Sequence, residues 1–405
     1  MITKLNDAGF IAYMAGGCVR DALLNRQPKD FDVATNATPE SVREVFGRSR
    51  TLAFGASFGV IGVLPARGKR LPDSAKIEPI EVATFRSDGE YSDGRRPDSV
   101  HYGDPEQDAL RRDFTINGLF YDPQSDQIVD YVGGQADLKA ERLCTIGAAE
   151  ERFGEDKLRM LRAVRFATTL GFRIDDATRK AIVEHSEDIG VVSGERIGAE
   201  MRRVLTDQHA ADGLAHLIDC RLQGCVLPES EYLDLGGFRS LSKHAVPRSF
   251  PLALSCLLKS LDCQNVGERL SAITKRWKLS NDEVRIARST LEHHATIIAA
   301  DQLTWSKVQP VLMNRDSEYI LRMANAVDQT EGGSSAGIQI ATEALNWPAE
   351  KLNPPALVTG EDLKAFGIPT GPHYRSILQT LRDQQLDGEV NTPEEAFTLA
   401  QKLSP

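Results

Sequence analysis

The sequence predicts an α+β chain, with a mixed-sheet head over residues 1–146 and an all-helical remainder. Three observations carry this. Short apolar segments with strand alternation, punctuated by Gly and Pro, run as far as residue 146. From Gly147 onward almost every segment has the period of a helix. Between two strand-like segments, residues 16–32 join Gly16-Gly17, a helix-length stretch, a breaking Pro28 and the acidic pair of Asp30-Phe31-Asp32.

Residues 11–15 read as a strand leading into Gly16, where a helix opens. That helix start offers unpaired N–H groups and a positive dipole end, and glycine lets an anion approach the backbone. Arg20, one turn in, adds a charge-assisted contact. Residues 30–34 form the next strand, on which Asp30 and Asp32 leave one face and Phe31 the other. Two carboxylates on one face suit Mg²⁺, a hard cation often held by one or two carboxylates plus substrate phosphates. Either half alone is as compatible with a surface turn or an ordinary helix start. Together they describe a place for a triphosphate and a metal.

Thr38 caps a helix that has Pro39 at its first position and continues over 40–46. Residues 51–64 read as a hairpin around 55–59, and 65–79 as an exposed insertion. Residues 80–85 alternate as a strand, antiparallel to its neighbour and beside Asp30 and Asp32, with Glu81 near its start. Residues 86–104 are the most polar stretch of the first third and read as a solvated loop; loops of this length inside a domain are often functional. A helix starts at 105–110 and ends near 111–117. A strand pair follows around 121–123 and 128–130, Gly133-Gly134 turns the chain into another helix, and 143–146 closes the head. Amphipathic helices are expected over 155–169, 176–189 and 195–206, the last with Arg202 and Arg203. The domain division that follows is a head of 1–146, a neck of 147–206, a body of 207–340 and a tail of 341–405. Residues 247–251, 332–337 and 353–355 read as joints.

With 405 residues the chain has room for two to four domains, and 41% hydrophobic with 26% charged residues is ordinary globular composition. No apolar run reaches the ~18 residues of a membrane span, and the first residues lack the long apolar region of a signal peptide. Six scattered cysteines, with no C-x-x-C pair, read as reduced core residues, which places the chain in the cytoplasm. A net charge of −10 argues against a general nucleic-acid coat but leaves room for a local basic stripe.

The 16–32 string resembles the signature of the class II CCA-adding enzymes and bacterial poly(A) polymerases, within the DNA polymerase β superfamily of nucleotidyltransferases. Three further blocks extend the resemblance over residues 10–205. Residues 81–86, Glu-Val-Ala-Thr-Phe-Arg, look like the strand that supplies the family's third carboxylate, here Glu81; an edge-strand Glu is the alternative. Residues 111–117, Arg-Arg-Asp-Phe-Thr-Ile-Asn, are similar to the family's second motif. The resemblance implies that Arg112 contacts triphosphate, Asp113 orders the nucleotide site and Asn117 lies near the ribose. Family members usually carry Ala where this chain has Gly118.

The last block is Glu155-Asp156-Lys157-Leu158-Arg159, continued by Arg162 and Arg165. Asp156 and Arg159 are three apart and share a helical face, which allows an intrahelical ion pair or a base-reading pair. A carboxylate only accepts and a guanidinium only donates. Cytosine and adenine present an amino donor beside a ring-nitrogen acceptor, whereas guanine and uracil present the reverse. The pair therefore fits C and A, and in the family this motif acts as the protein template. The resemblance further implies that Arg162 and Arg165 contact phosphate or base, that Gly17, Arg20 and Arg112 hold phosphates, and that Asp30 and Asp32 bind Mg²⁺.

The activity implied is addition of CCA to tRNA 3′ ends from CTP and ATP. Poly(A) polymerases carry a basic string after the first motif, whereas residues 54–59 here are uncharged. The 86–104 stretch resembles the flexible loop of CCA- and A-adding enzymes. None of the eight histidines precedes an Asp, so no HD phosphohydrolase site is expected. The alternatives are a poly(A) polymerase, an A-adding enzyme acting on a CC end, or, from another class, an RNA-binding protein with a dead head. The complete acidic and basic motifs argue against decay.

Overall fold

A computed structural model describes residues 1–55, 58–65, 79–89, 99–246, 248–261, 265–333, 335–368 and 370–404. Most of the expected insertion (66–78), the centre of the polar loop (90–98), two residues of the uncharged 54–59 stretch and Cys263 lie outside the described residues. The chain divides into two compact units, residues 1–204 with 212–228, and residues 205–211 with 229–405.

The first unit opens with α1 (Ile2–Asp7), β1 (Ala12–Ala15), α2 (Gly17–Leu23), β2 (Asp32–Thr35), α3 (Pro39–Phe46), β3 (Thr51–Gly55), β4 (Val60–Val63) and β5 (Ile80–Thr84). It continues with β6 (Arg86–Asp88), β7 (Val100–Tyr102), α4 (Pro105–Leu110), β8 (Leu119–Asp122), β9 (Gln127–Asp130), α5 (Gly134–Lys139) and β10 (Arg142–Leu143). Seven strands form one mixed sheet in the order β3-β4-β5-β2-β1-β8-β9. Thr38 caps α3 by accepting from the Ser41 amide, with Pro39 in the first turn.

The strand β5 is antiparallel to β4 but parallel to β2, so the expected antiparallel pairing holds only on the side away from Asp32. Its register, Val33 opposite Val82, sets Asp32 level with Glu81. Strand alternation then sorts the two faces. Val33 and Val82 turn to a core with Leu5, Val42, Phe46 and Ile61 under α1 and α3. Ala34 packs on the other face with Ala15, Phe85, Ala109 and Phe120. Phe85 and Phe120 meet edge to face at 5.9 Å, and burying such a ring contributes roughly 1.5–3 kcal/mol.

Three further expectations about the head are corrected. The second strand starts at Asp32, not Asp30, because β1 ends at Ala15, the partner of Asp32, and Gly16 (φ 68°) turns the chain away. Asp30 therefore lies in the exposed connector ahead of the ladder. The helix expected to reach 111–117 stops at Leu110; Phe114 instead bridges Thr145, and the Asp113 carbonyl accepts from the Ile146 amide. The polar stretch 86–104 is not all loop, since its ends pair as β6 and β7.

Helices follow: α6 (Ala149–Glu155), α7 (Leu158–Leu170), the short β11 (Arg173–Ile174) against β10, α8 (Asp176–Glu184), α9 (Gly194–Thr206), α10 (Ala210–Asp219) and α11 (Gln223–Val226). The single helix expected over 155–169 is two helices, broken at Asp156, whose backbone is extended (φ −143°, ψ 107°).

The second unit is helical: α12 (Leu235–His244), α13 (Phe250–Ser260), α14 (Val266–Trp277), α15 (Asn281–Ile298), α16 (Trp305–Leu312), α17 (Ser317–Thr330), α18 (Ala336–Leu345), α19 (Ala349–Leu352), α20 (Gly360–Ala365), α21 (His373–Leu386) and α22 (Pro393–Leu403). One core joins Ile297, Val308, Leu312, Ile320 and Ala341, and another joins Leu363, Ile377, Leu381 and Ala400. The five described cysteines are free thiols, and burial pushes Cys144, Cys220 and Cys256 up to about 12. No helix among the described residues is long and apolar enough to cross a membrane.

Candidate active site

A cleft of about 580 Å³ opens in the first unit between the sheet and the helices α7 and α9. Asp32 and Glu81 line it together with Gly17, Arg20, Arg112, Asp113, Asn117, Asp156, Arg159, Arg162 and Arg165. Of the sequence-derived site residues only Asp30 is not among the lining residues, although its charge still acts on Asp32.

One end of the cleft is built on α2. Gly16 adopts φ 68°, and a Cβ there would fall 2.9 Å from the Arg112 guanidinium, so the turn into α2 needs glycine. Arg20 is held by Asp21 at 2.7 Å and donates to the Asn117 side-chain oxygen at 2.6 Å. Arg112 is held by Asp108 at 2.9 Å and by the Asn117 carbonyl at 3.0 Å, with its guanidinium 4.9 Å from the Phe120 ring centre. Gly118, the departure from the family's usual Ala, has no room for a methyl: a Cβ would lie 2.6 Å from Val132 and 3.2 Å from Ile146.

The floor is a hydrogen-bonded bridge. Asn117 donates to Asp113 at 3.0 Å, and Arg162 grips the same carboxylate at 2.5 Å, so α2 connects through Asn117 and Asp113 to α7. Burial alone would raise the Asp113 carboxyl; the Arg162 charge and the bonds from Asn117 and Arg162 outweigh it and bring it to about 2. A folded-state value below the ordinary 3.8 means stability that is present above pH 3.8 and lost as the pH falls toward 2. Asp113→Asn is expected to lower unfolding stability near neutral pH by about 2–4 kcal/mol, since it also strands Arg162. Denaturant titrations at pH 7 and pH 3 check this: the gap between the two proteins should narrow at the lower pH.

The helical wall differs from its sequence reading. The side chains of Asp156 and Arg159 are not paired with each other among the described residues; only the Arg159 amide donates to the Asp156 carbonyl, at 3.0 Å. Asp156 accepts from the Leu158 amide at 3.0 Å, starting α7, and from Arg196 of α9 at 2.7 Å. Arg159 is held by Glu155, by the Arg152 carbonyl at 3.2 Å and by the Arg111 carbonyl at 3.2 Å. Arg165 pairs with Glu200 of α9 and packs on Phe166, 3.7 Å from its ring centre. Sequence reading missed Arg196, Glu200 and Phe166. The signal was there: 196, 200 and 203 recur at helical spacing on one face of α9.

The carboxylates at the sheet are the counterpart. Burial, then the charges of Glu81 and Asp30, push the Asp32 carboxyl above the usual range, while Arg112 partly offsets them. Among the described residues no three His, Cys, Asp or Glu side chains form a metal cage. The donor set nonetheless fits a hard divalent cation: adjacent oxygen donors of like charge, with substrate phosphates completing the shell.

The Poly A polymerase head domain model matches residues 12–144, and the model described as the probable RNA and SrmB-binding site of polymerase A matches residues 171–233. A CCA-adding enzyme of Lactococcus lactis subsp. cremoris is 32% identical over 98% of this chain and 93% of its own length. The chain belongs to the CCA-adding enzyme family. A second family member, from Geobacillus kaustophilus, is 36% identical over 72% of this chain and 68% of its own. The crystal structure of the Bacillus stearothermophilus CCA-adding enzyme in complex with CTP is similar with a TM-score of 0.79 and 28% identity, covering 99% of this chain and 95% of that one. The family relation accounts for the architecture, a nucleotidyltransferase head followed by helices, and nucleotidyltransferases of this kind are metal-dependent.

Proposed function

We propose that the chain adds CCA to the 3′ end of tRNA from CTP and ATP, by template-free nucleotidyl transfer with Mg²⁺. The observation that carries this is the cleft itself: guanidinium groups and a glycine turn at one end, two carboxylates, Asp32 and Glu81, on the sheet, and Asp156 with Arg159 on the helical wall. Membership of the CCA-adding enzyme family supports the same reading.

In this reading Gly17, Arg20 and Arg112 hold the triphosphate, and Asn117 stands by the ribose. Asp30 and Asp32, with Glu81 beside them, hold the cation. Bound there, Mg²⁺ neutralises phosphate charge and lowers the pKa of the RNA 3′-hydroxyl. Arg20 and Arg112 keep the β- and γ-phosphates fixed while the α-phosphorus exchanges its bond to pyrophosphate for one to the RNA 3′-oxygen. Such transfer is mostly positioning and charge neutralisation, which is what these residues offer. Asp156 and Arg159 read the base: Asp156 keeps lone pairs beyond its two bonds, and Arg159 keeps donors beyond its three partners. Arg162 and Arg165, already tied to Asp113 and Glu200, shape that wall. Residues 1–146 serve as catalytic head, 147–206 as neck, and 207–340 and 341–405 as body and tail that support the RNA. The site of action is the cytoplasm.

Incubating end-trimmed tRNA with CTP, ATP and Mg²⁺ is expected to give three additions and then a stop. Deletion of residues 88–98 is expected to leave CC addition largely intact and abolish the final A, since a pocket that reads C twice and then A has to be reshaped between steps. A long A tail on a generic RNA, with CTP ignored, would replace this reading with poly(A) polymerase. Action only on tRNA ending in CC would replace it with A addition.

A further inference from the structure

Among the described residues, the arginines of the cleft are matched to carboxylates with one exception. Arg20 has Asp21, Arg111 and Arg112 share Asp108, and Arg159 has Glu155. Arg162 has Asp113, Arg165 has Glu200 and Arg196 has Asp156. Arg203 lines the same cleft, is exposed, and has no ion pair or hydrogen bond among the described residues.

Its place on α9 explains why. Residues 196, 200 and 203 lie at i, i+4 and i+7 on the face turned to α7. Arg196 meets Asp156 and Glu200 meets Arg165, but the third position meets no acid among the described residues. A charge of its own sign acts across the cleft wall: Arg203 and Arg165 repel each other. Burial lowers the Arg165 guanidinium to about 10, and the charges of Arg162 and Arg203 push in the same direction against Glu200. A free guanidinium beside a buried one is electrostatically unfavourable unless an anion joins it. Arg203 stands in the last turn of α9, where the helix offers it a partial negative charge.

The triphosphate does not answer for this residue. Its phosphates are taken up at α2 by Gly17, Arg20 and Arg112, on sheet-side elements, while Arg203 extends the helical wall beyond Arg165. The other substrate of the proposed reaction brings its own anions into the same cleft. We infer that Arg203 is a phosphodiester subsite for the RNA acceptor strand, its planar fork taking a backbone phosphate close to the reacting 3′ end. This rests on the transfer reaction proposed above and adds a binding residue for its RNA substrate. The chain's overall charge of −10 makes such a local, unneutralised cation the kind of contact on which RNA affinity depends.

The test uses the full chain, end-trimmed tRNA and CTP, with Arg203→Ala and Arg203→Lys. Arg203→Ala is expected to raise KM for tRNA about three- to tenfold. It should also flatten the slope of log affinity for tRNA against log salt by about 0.7–0.9, the share of one phosphate. Arg203→Lys should recover the slope, because it keeps the charge. Binding of CTP in the absence of RNA should hold. An unchanged tRNA KM and slope in Arg203→Ala would overturn the inference, and so would an equal loss of CTP and tRNA affinity. If the wild type binds tRNA yet incorporates no CTP, the reaction is wrong, and the salt slope still decides Arg203.

Discussion

Asp32→Asn is expected to slow CMP incorporation into tRNA by at least ~10²-fold, and Asp30→Asn by a similar factor, because charge stabilisation by a bound metal supplies several kcal/mol. The two positions differ in setting. Asp32 lies in the cleft at the first position of β2, level with Glu81 on β5. Asp30 sits in the exposed connector before the strand, outside the residues that line the cleft. A second readout separates this from damage to the fold. The Asp32 carboxyl is pushed up by burial and by Glu81 and Asp30. The folded state therefore holds its proton more tightly than the unfolded one. Ionisation then costs stability as the pH rises through the carboxylate range. Removing the charge relieves that cost, so metal-free Asp32→Asn should melt at the wild-type temperature or above it, as expected where a site trades stability for function. Thermal melts with and without Mg²⁺, alongside single-turnover rates, check both halves. A fully active Asp32→Asn protein would sink the metal assignment.

The head was legible because its signals are local. Thr38-Pro39 is a capping signature, Gly16 marks a turn only glycine adopts with ease, and alternation in 80–85 fixes which side chains share a face. What the sequence could not give was decided by partners far along the chain. Whether β5 runs parallel or antiparallel to β2 depends on the order of strands in the sheet, and periodicity is blind to order. Asp30 fell outside the ladder because β1 ends two pairs too early to include it. The 155–169 helix broke because Asp156 turns its carboxylate to the Leu158 amide and to Arg196, forty residues on, in preference to continuing the helix. Spacing of three suggested a side-chain contact between Asp156 and Arg159; Arg196 takes the one side chain, and Glu155 with the Arg152 and Arg111 carbonyls takes the other.

Asp156→Ala is expected to reduce the preference for CTP and ATP over UTP and GTP by about 10–10²-fold, the worth of a two-point hydrogen-bonded base contact. A site built around a polar contact rejects mismatches strongly, so losing one partner should mostly raise use of the wrong bases rather than abolish transfer. The structure adds a condition. One Asp156 oxygen accepts from the Leu158 amide and the other from Arg196, so the carboxylate is aimed by its neighbours before any base arrives. Arg196 is then a positioning residue, acting through Asp156. Arg196→Ala should raise KM for CTP and ATP more than it lowers kcat and should relax base choice in part. Arg196→Lys, which keeps a donor to the same oxygen, should recover most of the discrimination. Arg159 is held separately by Glu155 and the Arg111 carbonyl, so it should keep its place in these variants. Steady-state incorporation of each of the four nucleotides by the wild type and the three variants measures this directly. If Asp156→Ala discriminates as the wild type does, the base is read elsewhere on the wall. If Arg196→Ala matches the wild type while Asp156→Ala does not, Asp156 needs no partner beyond the start of α7 to face the base.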